Sequence, residues 1–222
     1  MSKRTLVVAP HPDDEILGCG GTLLRRKAEG VEIAWLIVTG ISEQAGWSKD
    51  KVQQRNKIIS KVAQIIDFNH VYDLRLAPAQ LDTLPMDNLI KKISSVFHTF
   101  QPNEVFIPHV SDVHTDHRVV FDAIAACTKW FRYPFVQHVL AYETLSETEF
   151  SLNPDSNFRA NYFVNIAAYL EKKMEVMLLY EAELDVYPFP RSLEAIRALA
   201  ILRGSASGYT AAEAFQMLRA RQ

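Results

Sequence analysis

Cysteine is scarce in this chain: Cys19 and Cys127 are the only two in 222 residues. Two thiols cannot build the disulfide framework of a small secreted domain, and such a count fits a reducing compartment. Long apolar runs are missing as well. The longest, Ile33 to Val38, falls far short of the roughly 20 residues a membrane-spanning helix needs. No sign of charge dominates: 24 Lys and Arg stand against 26 Asp and Glu, a net charge of −2. That balance supplies no electrostatic drive toward nucleic acid or an acidic membrane surface. Met1 to Ala9 is basic and then apolar, but too short for a secretory core and without a small-residue cleavage site. Repeats, linkers and low-complexity tracts are absent too, so nothing divides the chain. The expectation is one cytoplasmic domain over residues 1–222. It takes no nucleic acid, inserts in no membrane, and has a composition compatible with a homo-oligomer.

What is present, 48% hydrophobic and 23% charged residues, is globular. Residues 5–21 are the stretch the rest is arranged around. Leu6 to Ala9 is a short apolar run of the buried parallel-strand kind. It breaks on Pro10 and Pro12, and at the break stand His11, Asp13, Asp14 and Glu15, which are costly to bury unpaired. Gly18, Gly20 and Gly21 then read as a flexible turn into a helix over Thr22 to Glu29. Acidic residues at a helix start are often caps, but His11 beside them, and His114-Thr115-Asp116-His117 after the apolar run Val105 to Ile107, point to a site.

Further strands are predicted at Val31–Val38, His70–Asp73, Glu104–Pro108 and Val136–Tyr142, with an edge strand at Ala160–Ile166. Helical spacing covers Asp50–Ile66, with Asp50 as cap, then Leu89–Phe100 and Val119–Trp130. The last quarter reads as three helices, Ala168–Leu184, Ser192–Arg203 and Thr210–Arg219. Strand–helix alternation followed by helices is the pattern of a doubly wound α/β domain. That means a Rossmann-like, mostly parallel sheet in three αβα layers, with a helical C-terminal part.

Such sheets place their sites at the carboxyl ends of strands. A catalytic zinc site takes three protein ligands and keeps one open position, and two histidines with one carboxylate is an established set. His11, Asp14 and His117 supply it. Asp116, between His114 and His117, is placed to hold one imidazole by its other nitrogen. Asp13 is placed to take the proton of an activated water. A cationic His114 is placed to stabilise the oxyanion of amide or ester hydrolysis. His70, His98 and His138 stand singly in helix or strand patterns and read as structural, His109 lies beside the cluster, and Cys19 reads as a small buried residue.

Ala9-Pro10-His11-Pro12-Asp13-Asp14-Glu15 and His114-Thr115-Asp116-His117 resemble the motifs of the LmbE-like, or PIG-L, family of zinc-dependent N-acetylglucosaminyl deacetylases. Gly20-Gly21-Thr22-Leu23, Arg55 and the closing Ala212-Glu213-Ala214-Phe215 extend the resemblance over most of the chain. It implies zinc at His11, Asp14 and His117, a donor set that also suits ferrous iron. It implies Asp13 as general base, His114 as electrostatic or acid partner, and Asp116 as support for His114. The implied reaction removes the acetyl group from an N-acetylated amino sugar in a glycoconjugate or polysaccharide precursor.

Three positions depart from the pattern: Asp112 stands where some members carry tyrosine, Ile58 where a glutamate often follows the arginine, and Ala211 where tyrosine is usual. Arg55, Asp112, Arg132, Tyr142 and Arg191 are expected as substrate contacts, since arginines and aromatic faces suit anionic groups and sugar rings. Two rival functions use the same residues. A non-haem iron enzyme shares the two-histidine, one-carboxylate set, but needs no base such as Asp13. A sugar- or nucleotide-binding module with a decayed site does not require the set to be intact.

Overall fold

The computed structural model describes residues 3–155 and 157–222. Among them, β1 (Arg4–Ala9), β2 (Glu32–Thr39), β3 (His70–Leu76), β4 (Glu104–Ile107) and β5 (His138–Tyr142) run parallel. Leu6 sits in register between Ala34 of β2 and Val105 of β4. β6 (Tyr162–Asn165) and β7 (Ala212–Ala220) complete one seven-stranded sheet in the order β3-β2-β1-β4-β5-β7-β6, with β7 antiparallel to both its neighbours.

The apolar runs are continuous because both faces of the sheet are covered. Val7, Ala9, Ile33, Trp35 and Ile37 face α1 (Asp14–Ala28), α2 (Lys49–Ile66), α5 (Leu170–Met177) and α6 (Leu193–Ser205). Leu6, Val8, Ala34, Leu36 and Val38 face α3 (Met86–Phe100) and α4 (Thr115–Ala126). From β1 the chain winds outward through β2 to β3, then returns to lay β4 against the other side of β1. The carboxyl ends of β1 and β4 therefore flank the switch point, where such sheets leave a crevice. Among the described residues no helix is long and apolar enough to cross a membrane.

The structure corrects several expected elements. α1 begins at Asp14, so the three glycines are inside a helix and make no turn. Their reason is close approach. A Cβ at Gly18 would collide with the Tyr142 ring, and one at Gly21 would lie 2.7 Å from Ile166 Cβ. α2 is capped by Ser48, whose hydroxyl accepts from Lys51 N–H, and not by Asp50. α4 starts at Thr115 and ends at Ala126, earlier at both ends than expected. The helix expected over 168–184 ends at Met177, and a 3-10 segment, Leu178–Glu183, follows with Tyr180 out of helical geometry.

The largest departure is 210–219, a strand and not a helix. Ala212 to Phe215 are buried between β5 and β6, and this slot overrides their helix propensity. Glu213 closes the slot from within. Its carboxylate accepts from Gly21 N (2.9 Å), Thr22 N (2.7 Å) and Lys173 Nζ (2.7 Å). Lys173 Nζ also donates to Leu17 O at 2.8 Å, the carbonyl that the α-helical ladder assigns to Gly21. A buried ion pair is thus set into the middle turn of α1.

Candidate active site

β1 hands the chain to Pro10-His11-Pro12, and Pro10 O holds the end of β2 by accepting from Thr39 N (3.0 Å) and Thr39 Oγ1 (2.7 Å). Prolines suit this exit because they leave no N–H to satisfy. Asp13 is the N-cap residue of α1, and Asp14 and Glu15 fill its first turn, where the helix dipole favours carboxylates. Beyond β4 the chain loops to His114, which caps α4 by accepting from Asp116 N–H on Nδ1 at 3.1 Å. His117, in the first turn of α4, then meets the His11–Asp14 segment.

His11 Nδ1 and His117 Nε2 each lie 3.4 Å from Asp14 Oδ2, and one ligand atom from each of these residues lies within 4.8 Å of the other two. Each imidazole turns its second nitrogen to a buried carboxylate: His11 Nε2 to Asp116 Oδ2 at 3.0 Å, His117 Nδ1 to Asp112 Oδ2 at 2.8 Å. Histidine ligands are commonly oriented in this way. Two imidazoles and a carboxylate fit a divalent ion with a position to spare. His11, His114 and Asp116 also come within the same distance. There, however, His114 Nδ1 is taken, and the Asp116 carboxylate is committed to His11 and to Ala79 N (2.7 Å) and Leu81 N (3.3 Å).

The charges are tightly linked. Burial opposes a charged His11, but hydrogen bonds to Asp116 and Asp14, with the charge of Asp14, push it up to about 9. Burial likewise opposes a charged His117, and Asp14 and Asp112 overturn it, holding the imidazole well above its usual value. Asp14, despite burial, is held well below the usual carboxylate range by His117 and His11. Asp13 goes the other way: burial, then the charges of Asp14 and Glu183, push it up to about 8. His114 is lowered by burial and by its two imidazole neighbours. It is a neutral ring, not the expected cation, and with Nδ1 accepting, its proton stands on Nε2.

A cavity of about 320 Å³ opens over this cluster, within the size range of small-molecule sites. His11, Asp13, Asp14, His114, His117, Arg55 and Arg191 all line it. Four expected roles are corrected. Asp116 braces His11 with its carboxylate and meets His114 only through its backbone N–H. Asp112 is fully buried beneath His117, also accepting from Thr148 Oγ1 at 2.7 Å, and does not line the cavity. Tyr142 is buried, donates to Val8 O at 2.9 Å and supports α1. Arg132 is exposed over the Phe131 ring, past the end of α4 that points away from the cavity.

Glu183 and Glu147, which sequence reasoning passed over, complete the walls with Arg191, Trp47 and Thr144. Glu183 pairs with Arg55 at 2.6 Å, in place of the glutamate missing at position 58. Arg191 Nη1 reaches Asp13 Oδ2 at 3.4 Å and Glu183 Oε2 at 4.0 Å. Glu147 accepts from His114 N at 3.1 Å, and Trp47 and Thr144 line the wall. Only polarity between patterned segments marked Glu183 and Glu147, because they meet the site through distant contacts. His109 lies outside the cavity, bonded to Gln216 and Ser111.

Fold and site define a Rossmann-like α/β protein with a two-histidine, one-carboxylate centre at its switch point. The chain belongs to the family described as PIG-L, GlcNAc-PI de-N-acetylase, which it matches over residues 6–128, more than half its length. It is 26% identical over 178 residues to the uncharacterized deacetylase YaiS of Escherichia coli K12, covering 77% of this chain and 90% of that one. It is 22% identical over 232 aligned positions to the diacetylchitobiose deacetylase of Thermococcus kodakarensis, covering 97% and 83%. The solved structure of the conserved protein TT1542 from Thermus thermophilus superposes with a TM-score of 0.75 at 28% identity, over 95% of this chain and 92% of that one.

Proposed function

We propose that this protein is a metal-dependent N-deacetylase that removes the acetyl group from an N-acetylated amino sugar carried in a glycoconjugate or polysaccharide precursor. One observation carries the reading. His11 and His117 each turn one nitrogen onto Asp14 and the other onto a buried carboxylate, while Asp13, next in the chain, remains on the cavity wall. Family membership and the deacetylase names of the relatives support it.

His11, Asp14 and His117 would hold the ion, taken as zinc. When bound, such an ion polarises an acyl carbonyl and acidifies water. Asp13 accepts the proton of the attacking water and returns it to the leaving amine nitrogen, a role suited to a carboxyl group poised near neutral pH. His114 donates from Nε2 to the carbonyl oxygen as charge builds on it. Trp47, on the wall, supplies an aromatic surface for a sugar. Arg191 and Thr144 line the walls, where a guanidinium and a hydroxyl suit substrate oxygens.

The test incubates zinc-loaded protein with a panel of N-acetylhexosamine conjugates and measures free amine. Turnover is expected, with Asp13→Ala retaining the metal and losing it. A fully loaded protein that hydrolyses no amide on the panel would defeat the reading.

A further inference from the structure

Asp13 has φ 142° and ψ −31°, backbone that only glycine adopts without strain. Such a conformation persists only where surrounding groups impose it. Here they can be named. The peptide joining residues 12 and 13 is held at both poles: Pro12 O accepts from Arg55 Nη1 at 3.2 Å, and Asp13 N donates to Glu15 Oε2 at 3.0 Å. Each holder is itself braced. Arg55 Nη2 lies 2.6 Å from Glu183 Oε1, and Tyr180 Oη donates to Glu15 Oε1 at 2.7 Å.

Both braces come from one short segment, Leu178–Glu183, whose helical course is broken at Tyr180. Glu15 and Tyr180 are buried and line no part of the cavity, so neither can touch substrate. A buried carboxylate with no cationic partner is expensive. Among the described residues Glu15 is met by the Tyr180 phenol and by backbone N–H groups, that of Asp13 among them, and burial pushes its carboxyl well above the usual range. Rotation of the 12–13 peptide would swing the Asp13 Cα–Cβ bond and carry its carboxylate away from the Asp14 side of the cavity.

The geometry points to a peptide clamp: Glu15 and Arg55, braced by Tyr180 and Glu183, are positioning residues that impose the strained backbone of Asp13 and so aim its carboxylate. The catalytic half of this inference rests on the reading of Asp13 as proton acceptor. The clamp itself does not.

The test compares E15M, E15Q and Y180F in the full-length, metal-loaded protein. The glutamine oxygen still accepts from Asp13 N, and its amide can donate to Tyr180, whereas methionine fills the space and accepts nothing. E15M is expected to lower kcat at least thirtyfold with KM and metal content unchanged. E15Q stays within threefold of wild type, and Y180F loses three- to tenfold. A merely structural role would instead lower folded fraction and metal content together. The inference is overturned if E15M keeps kcat within threefold, if E15Q falls as far as E15M, or if metal is lost in step with activity. Should E15M fail to fold, Y180F decides: wild-type kcat there overturns the clamp. Amide hydrogen exchange of Asp13 by NMR separates this inference from the proposed reaction. Protection in wild type and E15Q but not in E15M or Y180F supports the clamp even if no sugar amide is hydrolysed, and an unprotected Asp13 amide in wild type refutes it.

Discussion

Replacing Asp13 by glycine and by alanine separates backbone strain from charge. Both changes delete the same carboxylate, its repulsion from Asp14 and Glu183, and its 3.4 Å contact with Arg191. They differ only in what the backbone tolerates at φ 142°. At an ordinary position glycine is the worse residue by about 0.5–1 kcal/mol, because it gives up more freedom on folding. A non-glycine residue in a sparsely populated region costs about 1–3 kcal/mol. Subtracting the first from the second leaves Asp13→Gly more stable than Asp13→Ala by about 0–2.5 kcal/mol, with a central value of about 1 kcal/mol. For a chain of this size that central value corresponds to roughly 2–4 °C in melting temperature. Thermal melts of both variants in chelator, followed by circular dichroism, give the comparison without a contribution from metal. Neither variant should turn over substrate. An alanine variant that melts at or above the glycine variant would show that the 12–13 peptide relaxes freely and that no strain is held there.

Two further outcomes follow from other parts of the molecule. Glu213→Ala leaves Lys173 buried without its counter-charge and the N–H groups of Gly21 and Thr22 without their side-chain acceptor. A loss of about 3–5 kcal/mol is expected in urea titrations, a large share of a domain's total, and a loss below about 1 kcal/mol would contradict the arrangement. Metal affinity should climb with pH. His11, raised to about 9, and His117, held well above its usual value, hold protons near neutrality, and an ion must displace them. The apparent affinity therefore rises by up to one decade per pH unit for each proton displaced, levelling off above the raised values. Chelator competition giving the same affinity at pH 6 and pH 8 would rule this out.

The strands legible from residues alone are those buried on both faces. Leu6–Ala9, Val31–Val38 and Val105–Ile107 have no other plausible reading, because a central parallel strand has no polar side to show. Ala212–Ala220 was illegible for the opposite reason. Its residues include no β-branched side chain and several strong helix formers, and only the slot between β5 and β6 makes it a strand. The glycines of α1 misled in a similar way, since what they accommodate, Tyr142 and Ile166, arrives from the far half of the chain.

At the site, the residue types and their motif spacing identified His11, Asp14 and His117 as a cluster that the fold does bring together. The braces were not legible. His114 spends Nδ1 on the backbone N–H of Asp116 to cap α4, while the Asp116 carboxylate meets His11, just past β1, and His117 is left to Asp112. That exchange depends on β1 lying beside β4, a fact of topology rather than of local pattern. Arg132 and Tyr142 show the converse. An arginine or an aromatic in a suggestive motif remains a surface or packing residue unless the fold aims it inward.

The ion pair set into α1 also bears on how the protein is made. Glu213 reaches back 192 residues to Gly21, so at translation rates of about 5–20 residues per second the nascent chain waits roughly 10–40 s for it. Through that interval the helix carrying Asp14 lacks the side-chain partners of its middle turn, whereas Lys173 waits only the last 40 residues for its own. The end of the sheet that carries the site is laid down early, but its first helix gains these partners only when residue 213 has cleared the ribosome and the final strand has docked.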